Sequence, residues 1–363
     1  MRLVLINLLV FVALVLGANI AAGVWLDLSA RTQAMDGADD PRATSPAYAD
    51  KAAARKIFHD FYRTRSAYSS YEAMRLEPFA SETTNIDAEG LRVTPGSPAN
   101  PTGHLTFFGG STMWGTGVDD AHTIPALVQQ KFQSATVVNQ GQSAFVSGQN
   151  LAALIKRLAL ARPVGTAIFY DGINDVFHLC QSRIPLDGHP FTYFLTEAVR
   201  SYRNRQQGVS ERAWAATVGN LRDLAGRWAG ADIRRTTELE QIPPSRCADP
   251  AAVDGVTDIL WRNWRAAKAL AEANGATFVA ILQPVSSVGT PKRDYLPPQP
   301  EWDVRFNEAY ARLRSRIAAE GQGWAYDFSD AFDGGEPLYI DAFHVTERGN
   351  AIIAERLARL LKP

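Results

Sequence analysis

From Leu3 to Leu26 the chain is almost continuously apolar, interrupted among polar residues only by Asn7 and Asn19. About 20 such residues are enough to cross a bilayer as a helix. Arg2 precedes the run, and Asp27, Asp36, Asp39 and Asp40 follow it against Arg31 and Arg42. The positively charged end tends to stay in the cytoplasm, so residues 1–26 read as an uncleaved signal anchor with the remainder outside. A cleaved signal peptide is the competing reading. Its small-residue cleavage site would have to be Ile20-Ala21-Ala22, a poor match.

Beyond the anchor the pattern changes twice. Residues 27–50, rich in Ala, Asp, Pro and Ser, read as a linker. Residues 51–103 read as an N-terminal extension packed on the main domain. It starts with an amphipathic helix over Ala52–Phe61, runs through a Tyr-rich stretch and ends at Thr94-Pro95-Gly96-Ser97-Pro98. Residues 104–363 then alternate regularly. Leu105–Phe108, Thr136–Asn139, Thr166–Tyr170, Thr277–Leu282 and Trp324–Phe328 are apolar runs too short for helices. Ile124–Phe132, Asn150–Ala161, Ile259–Ala273 and Phe306–Glu320 carry helical spacing between them. Alternating strands and helices predict an α/β domain of three layers, α/β/α, around a central five-stranded, mostly parallel sheet. Residues 178–258 break the rhythm and read as a helical insertion, and Pro291 to Pro300 as a surface loop.

Composition narrows the class. With 46% hydrophobic and 21% charged residues in 363, the chain is neither disordered nor a polytopic membrane protein. A formal net charge of -1 provides no basic field for nucleic acid. Two cysteines, Cys180 and Cys247, are too few for a zinc-ribbon framework. In an oxidising compartment they can form a bridge, and the alternative is two separate buried thiols.

Parallel sheets collect ligands at the carboxyl ends of their strands, and polar residues cluster at four such ends. The first strand leads into Gly109-Gly110-Ser111-Thr112, where Ser111 stands next to helix-opening N–H groups as a candidate nucleophile or simply as a cap. The second ends in Asn139-Gln140-Gly141, where Gly141 can turn its N–H into a site. The third ends in Gly172-Ile173-Asn174-Asp175, and the neutral amide of Asn174 suits an oxyanion. Near the C-terminus, Asp341-Ala342-Phe343-His344 places a carboxylate one turn from an imidazole, fixing its tautomer. The other histidines, His59, His104, His122, His178 and His189, are read as surface or capping residues. Trp114 and Tyr170 flank the motifs and are candidates to stack on a sugar; core packing is the alternative.

The conjunction of Ser, Gly, Asn and Asp-x-x-His in this order resembles the SGNH/GDSL hydrolase family over roughly residues 105–361. The Gly-Gly-Ser form departs from the more usual Gly-Asp-Ser and is similar to a subset of bacterial, often membrane-tethered members. The resemblance implies a flavodoxin-like SGNH hydrolase fold and an esterase. It also implies Ser111, Asp341 and His344 as catalytic residues, an oxyanion hole of Ser111, Gly141 and Asn174, and no cofactor or metal. A nucleophile elbow of the G-x-S-x-G type is missing at both Ser111 and Ser143. The chain also lacks H-E-x-x-H, C-x-x-C and a P-loop. An extracytoplasmic, tethered enzyme of this kind is expected to act on small-molecule or polysaccharide esters, in particular O-acetyl groups of envelope carbohydrate. Two alternatives use other chemistry or none: an O-acetyltransferase with the same triad, and a catalytically silent envelope scaffold.

Overall fold

The structure, a computed structural model, describes residues 2–32, 40–182, 184–205, 221 and 245–361. Apart from short hairpin strands and 3-10 turns, its elements run α1 (Arg2–Thr32), α2 (Lys51–Arg63), β1 (Gly103–Gly109), α3 (Ser111–Trp114) and α4 (Ile124–Gln129). They continue with β2 (Ala135–Asn139), α5 (Ser147–Ala159), β3 (Thr166–Asp171), α6 (Ile173–Leu179), α7 (Thr192–Arg205) and α8 (Pro250–Ala273). The chain closes with β4 (Thr277–Leu282), α9 (Pro300–Glu320), β5 (Ala325–Asp327) and α10 (Glu347–Leu360).

All five expected apolar runs are strands. They pair in the order β2-β1-β3-β4-β5, parallel throughout, the flavodoxin-like order with a switch point between β1 and β3. Alternate residues face opposite layers, as the pleat requires. Leu105, Phe107, Val137, Ile168 and Ile281 share a core with Ile124 and Val128 of α4 and with Ile353 and Leu357 of α10. On the other face Phe108, Phe169 and Phe278 stack, with ring centroids 4.9 and 5.1 Å apart. The helices α5, α8 and α9 pack together in that layer. At the β2 edge an antiparallel bridge joins Arg92 to Asn139.

Two boundaries differ from the sequence reading. The helix expected from Ile259 begins at Pro250, because the Asp249 carboxylate accepts the Ala251 N–H at 2.9 Å and proline is favourable in the first turn. Val253, Val256 and Thr257 are therefore buried in the domain instead of belonging to an insertion. The expected linker is also shorter. α1 continues to Thr32, and residues 40–50 are folded, with Asp40, Ala43 and Tyr48 buried. Ala43 and Tyr48 close a small apolar core with Ala54, Phe58 and Ile340, which a free tether would leave in water.

The chain divides into two units, Met1–Met35 with Thr192–Pro243, and Asp36–Phe191 with Pro244–Pro363. The first contains the candidate transmembrane span Arg2–Trp25, with a mean hydropathy of 2.6. Within it the buried Asn19 accepts the Leu221 N–H at 3.3 Å. The second contains the sheet. In it the ends of the insertion meet at a Gln181–Ser245 bridge beside a Cys180–Cys247 disulfide that spans 67 residues. Residues 206–220 and 222–244 of the expected insertion lie outside the described residues.

Candidate active site

Ser111 is the first residue of α3, immediately after β1. An amide in that position has no acceptor within its own helix. Gly110, the N-cap, has extended backbone, and a Cβ there would lie 2.1 Å from Asn174 Nδ2. The lack of a side chain therefore lets the Asn174 amide rest against the backbone leading into the serine. Asn174, in the first turn of α6, donates to the Phe145 carbonyl at 2.8 Å. A primary amide carries two hydrogens, so one remains for a ligand.

The Asp-x-x-His sequence forms the turn before α10. Asp341 Oδ1 accepts the backbone N–H groups of Phe343 and His344 at 2.8 and 2.7 Å. The same carboxylate meets His344 Nδ1, at 2.7 Å from Oδ2. His344 Nε2 lies 2.8 Å from Ser111 Oγ, across 233 residues of sequence. Burial opposes ionisation of Asp341, but His344, Arg42 and the backbone donors outweigh it and hold the carboxyl well below its usual range. The three side chains form one hydrogen-bonded line from a carboxylate through an imidazole to a hydroxyl. Such a line can move the hydroxyl proton onto the imidazole while the carboxylate stays charged.

Gly141 sits where expected but its amide hydrogen is engaged. Asn139 Oδ1 accepts it at 2.9 Å, while Asn139 Nδ2 donates to the Met113 carbonyl at 3.2 Å. A Cβ on Gly141 would approach Trp114 N to 2.4 Å, so the glycine is needed for the turn to lie against α3. That leaves the Ser111 N–H, which has no acceptor in its own helix, and the second Asn174 hydrogen as donors open to a ligand.

Trp114 and Tyr170 do not face a ligand. Trp114 is 1% exposed, with the Arg92 guanidinium 4.4 Å over its ring and Phe61 edge-on at 5.6 Å. Tyr170 is buried in the core, and burial pushes its phenol upward. Trp114 closes α3 and Tyr170 lies on β3, and both side chains are packed inside the protein, which leaves neither ring a face to stack on a sugar. The Asp-x-x-His spacing also recurs at Asp119 and His122, whose contact is 2.6 Å, but that imidazole is half-exposed on the surface.

Two neighbours of the site escaped the sequence reading. Gln283 follows β4 and accepts the Thr112 hydroxyl at 2.7 Å; applying the strand-end criterion to Leu282 would have found it. Arg42 donates to Asp341 Oδ2 at 3.3 Å from 299 residues away, and no local pattern marks it.

No family model matches the chain, and no curated protein does. Among solved structures the chain is similar to a putative lipolytic protein of the G-D-S-L family from Desulfitobacterium hafniense DCB-2, at 13% identity and a TM-score of 0.39 over 71% of this chain and 99% of that one. It is similar to TesA at 17% identity and a TM-score of 0.39, over 72% and 98% of the two chains. It is similar as well to a catalytic mutant of Axe2, an acetylxylan esterase from Geobacillus stearothermophilus, at 15% identity and a TM-score of 0.36, over 74% and 97%.

Proposed function

We propose that the chain is a serine esterase of the SGNH type. The observation that carries this reading is the line from Asp341 through His344 to Ser111, with successive contacts of 2.7 and 2.8 Å. Ser111 Oγ attacks the ester carbonyl carbon as its proton passes to His344 Nε2. Asp341 stays ionised and stabilises the imidazolium. The Ser111 N–H and the Asn174 amide bind the oxyanion of the tetrahedral intermediate, and Gly141 contributes only by sharing the hydrogen it gives Asn139. His344 then passes the proton to the leaving alcohol. A water attacks the acyl-serine and loses its proton to His344, which passes it to Ser111 Oγ as the acyl–oxygen bond breaks and the acid departs.

For the substrate we infer O-acyl, in particular O-acetyl, esters of envelope or extracellular carbohydrate. Location supports this. Arg2 stands at the start of the apolar N-terminal helix, a charge that favours keeping that end in the cytoplasm and the rest of the chain outside, and a disulfide at the base of the insertion fits an oxidising compartment. The test is labelling of the detergent-solubilised full chain with a fluorophosphonate, alongside acetate release from acetylated glycans. Wild type is expected to react in both assays and Ser111→Ala in neither, with a loss of several orders of magnitude in kcat. Full activity in a contamination-controlled Ser111→Ala preparation would end the proposal. Acyl transfer from the same donors to an added glycan, in place of acetate release, would reassign the enzyme as an O-acetyltransferase.

A further inference from the structure

Residues 40–63 hold both halves of the site. Ser45 Oγ donates to the Tyr339 carbonyl at 3.4 Å, and Ile340 packs with Ala43, Tyr48 and Phe58, so the segment lies under the turn that carries Asp341. Tyr48 donates to the Gly117 carbonyl at 2.6 Å, just beyond the helix that carries Ser111. Arg42 is fixed within this segment. Its guanidinium meets both oxygens of Asp40, with Nη2–Oδ2 at 2.8 Å, and covers the Phe58 ring at 4.5 Å. Tyr62 donates to the same Asp40 oxygen at 3.0 Å. The remaining guanidinium nitrogen, Nη1, reaches Asp341 Oδ2, the oxygen that also faces His344 Nδ1.

We propose that Arg42 is a positioning residue of the active site, through which the folded N-terminal segment orients the Asp341–His344 pair and sets how readily that pair takes up a proton. The proposal rests on the esterase reading for its consequence in catalysis. Arginine remains protonated at all working pH values and has a planar fork. One side of the fork is spent on Asp40, so the other is held at a constant position against Asp341. The charged and titratable groups around the pair are Asp40, Arg42, Tyr48 and Tyr62 from the N-terminal segment, His344 itself, and Glu347 at the start of α10. Of these, Arg42 is the cation in contact with the Asp341 carboxylate other than His344. A fixed cation there opposes a second positive charge on the imidazole. Removing it makes proton uptake by the pair easier, and the acid limb of kcat/KM moves to higher pH.

The test uses the full chain in detergent, with Arg42→Met to keep the stem over Phe58, Arg42→Lys to keep the charge, and Arg42→Gln as a second neutral variant. For the neutral variants we expect kcat to fall roughly three- to tenfold with KM little changed. The acid limb should rise by on the order of half a pH unit, and Arg42→Lys should restore its position. A merely structural role would lower the rate without moving the limb. The 15N imidazole titration of His344 by NMR gives a readout that needs no turnover, and it should move in the same direction. A folded Arg42→Met or Arg42→Gln protein with an unmoved limb and an unmoved titration overturns the proposal. If wild type neither hydrolyses esters nor takes the fluorophosphonate, the esterase reading fails while the titration still decides the role of Arg42.

Discussion

At the scale of single residues, the most exacting demand falls on the space between Gly110 and Asn174. Asn174 spends one amide hydrogen on the Phe145 carbonyl, and in the proposed mechanism the other binds the oxyanion. Asn174→Ala should lower kcat by about 10²–10³ with little change in KM, because the lost bond strengthens only as charge develops. Gly110→Ala inserts a methyl 2.1 Å from Asn174 Nδ2 and must displace it. The two changes remove the same function, so the double variant should be no slower than Asn174→Ala alone. Steady-state kinetics on an acetyl ester, with thermal melts as a check on folding, decides this; independent, multiplying losses would refute the shared role. Ser111, Asn174, Asp341 and His344 were legible because each follows a strand or precedes a helix in a short, local motif. Arg42 was not, because its partner is set by packing and not by any spacing along the chain. Trp114 and Tyr170 differ from their reading for a related reason: adjacency to a motif does not say whether a side chain points into the core or out of it.

At the scale of elements, apolar periodicity located all five strands, since a buried parallel strand must be a short apolar run whatever surrounds it. Helix starts were less legible. The apolar spacing of α8 points to a late start, whereas the true one is marked by the Asp249-Pro250 cap, a signal of polarity and stereochemistry instead of hydrophobicity. The insertion begins and ends beside the Cys180–Cys247 bridge. Closing a loop of 67 residues removes chain entropy from the unfolded state, worth roughly 4 kcal/mol in the loop-entropy treatment. Cys180→Ser with Cys247→Ser should therefore lower stability by about that much, read as a shift in the urea midpoint against wild type. The same double variant should become insensitive to dithiothreitol, and a shift below about 1 kcal/mol would show that the loop is constrained by other contacts.

At the scale of the whole molecule, the sheet carries a buried acidic pair behind the site. Asp171 accepts from Asn150 at 2.6 Å and from the Trp264 indole at 2.8 Å, and Asp175 accepts from the Ser147 hydroxyl at 2.5 Å. Burial and mutual repulsion push Asp171 well above its usual range, and burial pushes Asp175 up to about 6. The folded protein therefore holds these protons more tightly than the unfolded chain. For Asp175 that stability is complete below about pH 4 and is lost as pH rises through about 6. Between pH 5 and 7.5 the contribution of Asp175 should fall by on the order of 1 kcal/mol. Asp175→Asn should flatten that part of the profile in thermal melts, and an unchanged profile would place its origin elsewhere. Asp341 works in the opposite sense, because its carboxyl is held low: its stabilisation is complete above the usual carboxylate range and is lost progressively as pH falls below it.

By itself the sequence determined the five strands, the existence of the helices between them though not all their starts, the apolar N-terminal span, and the Asp-x-x-His pair, all of them consequences of interactions between residues a few positions apart. Only the tertiary structure decided that Ser111 meets His344, that Arg42 reaches Asp341, that the two cysteines join, and that two aromatic residues beside the motifs are buried. Those contacts depend on strand order and on which layer covers each face, and the energy that selects them comes from burying surfaces far apart in the chain, which no local window contains.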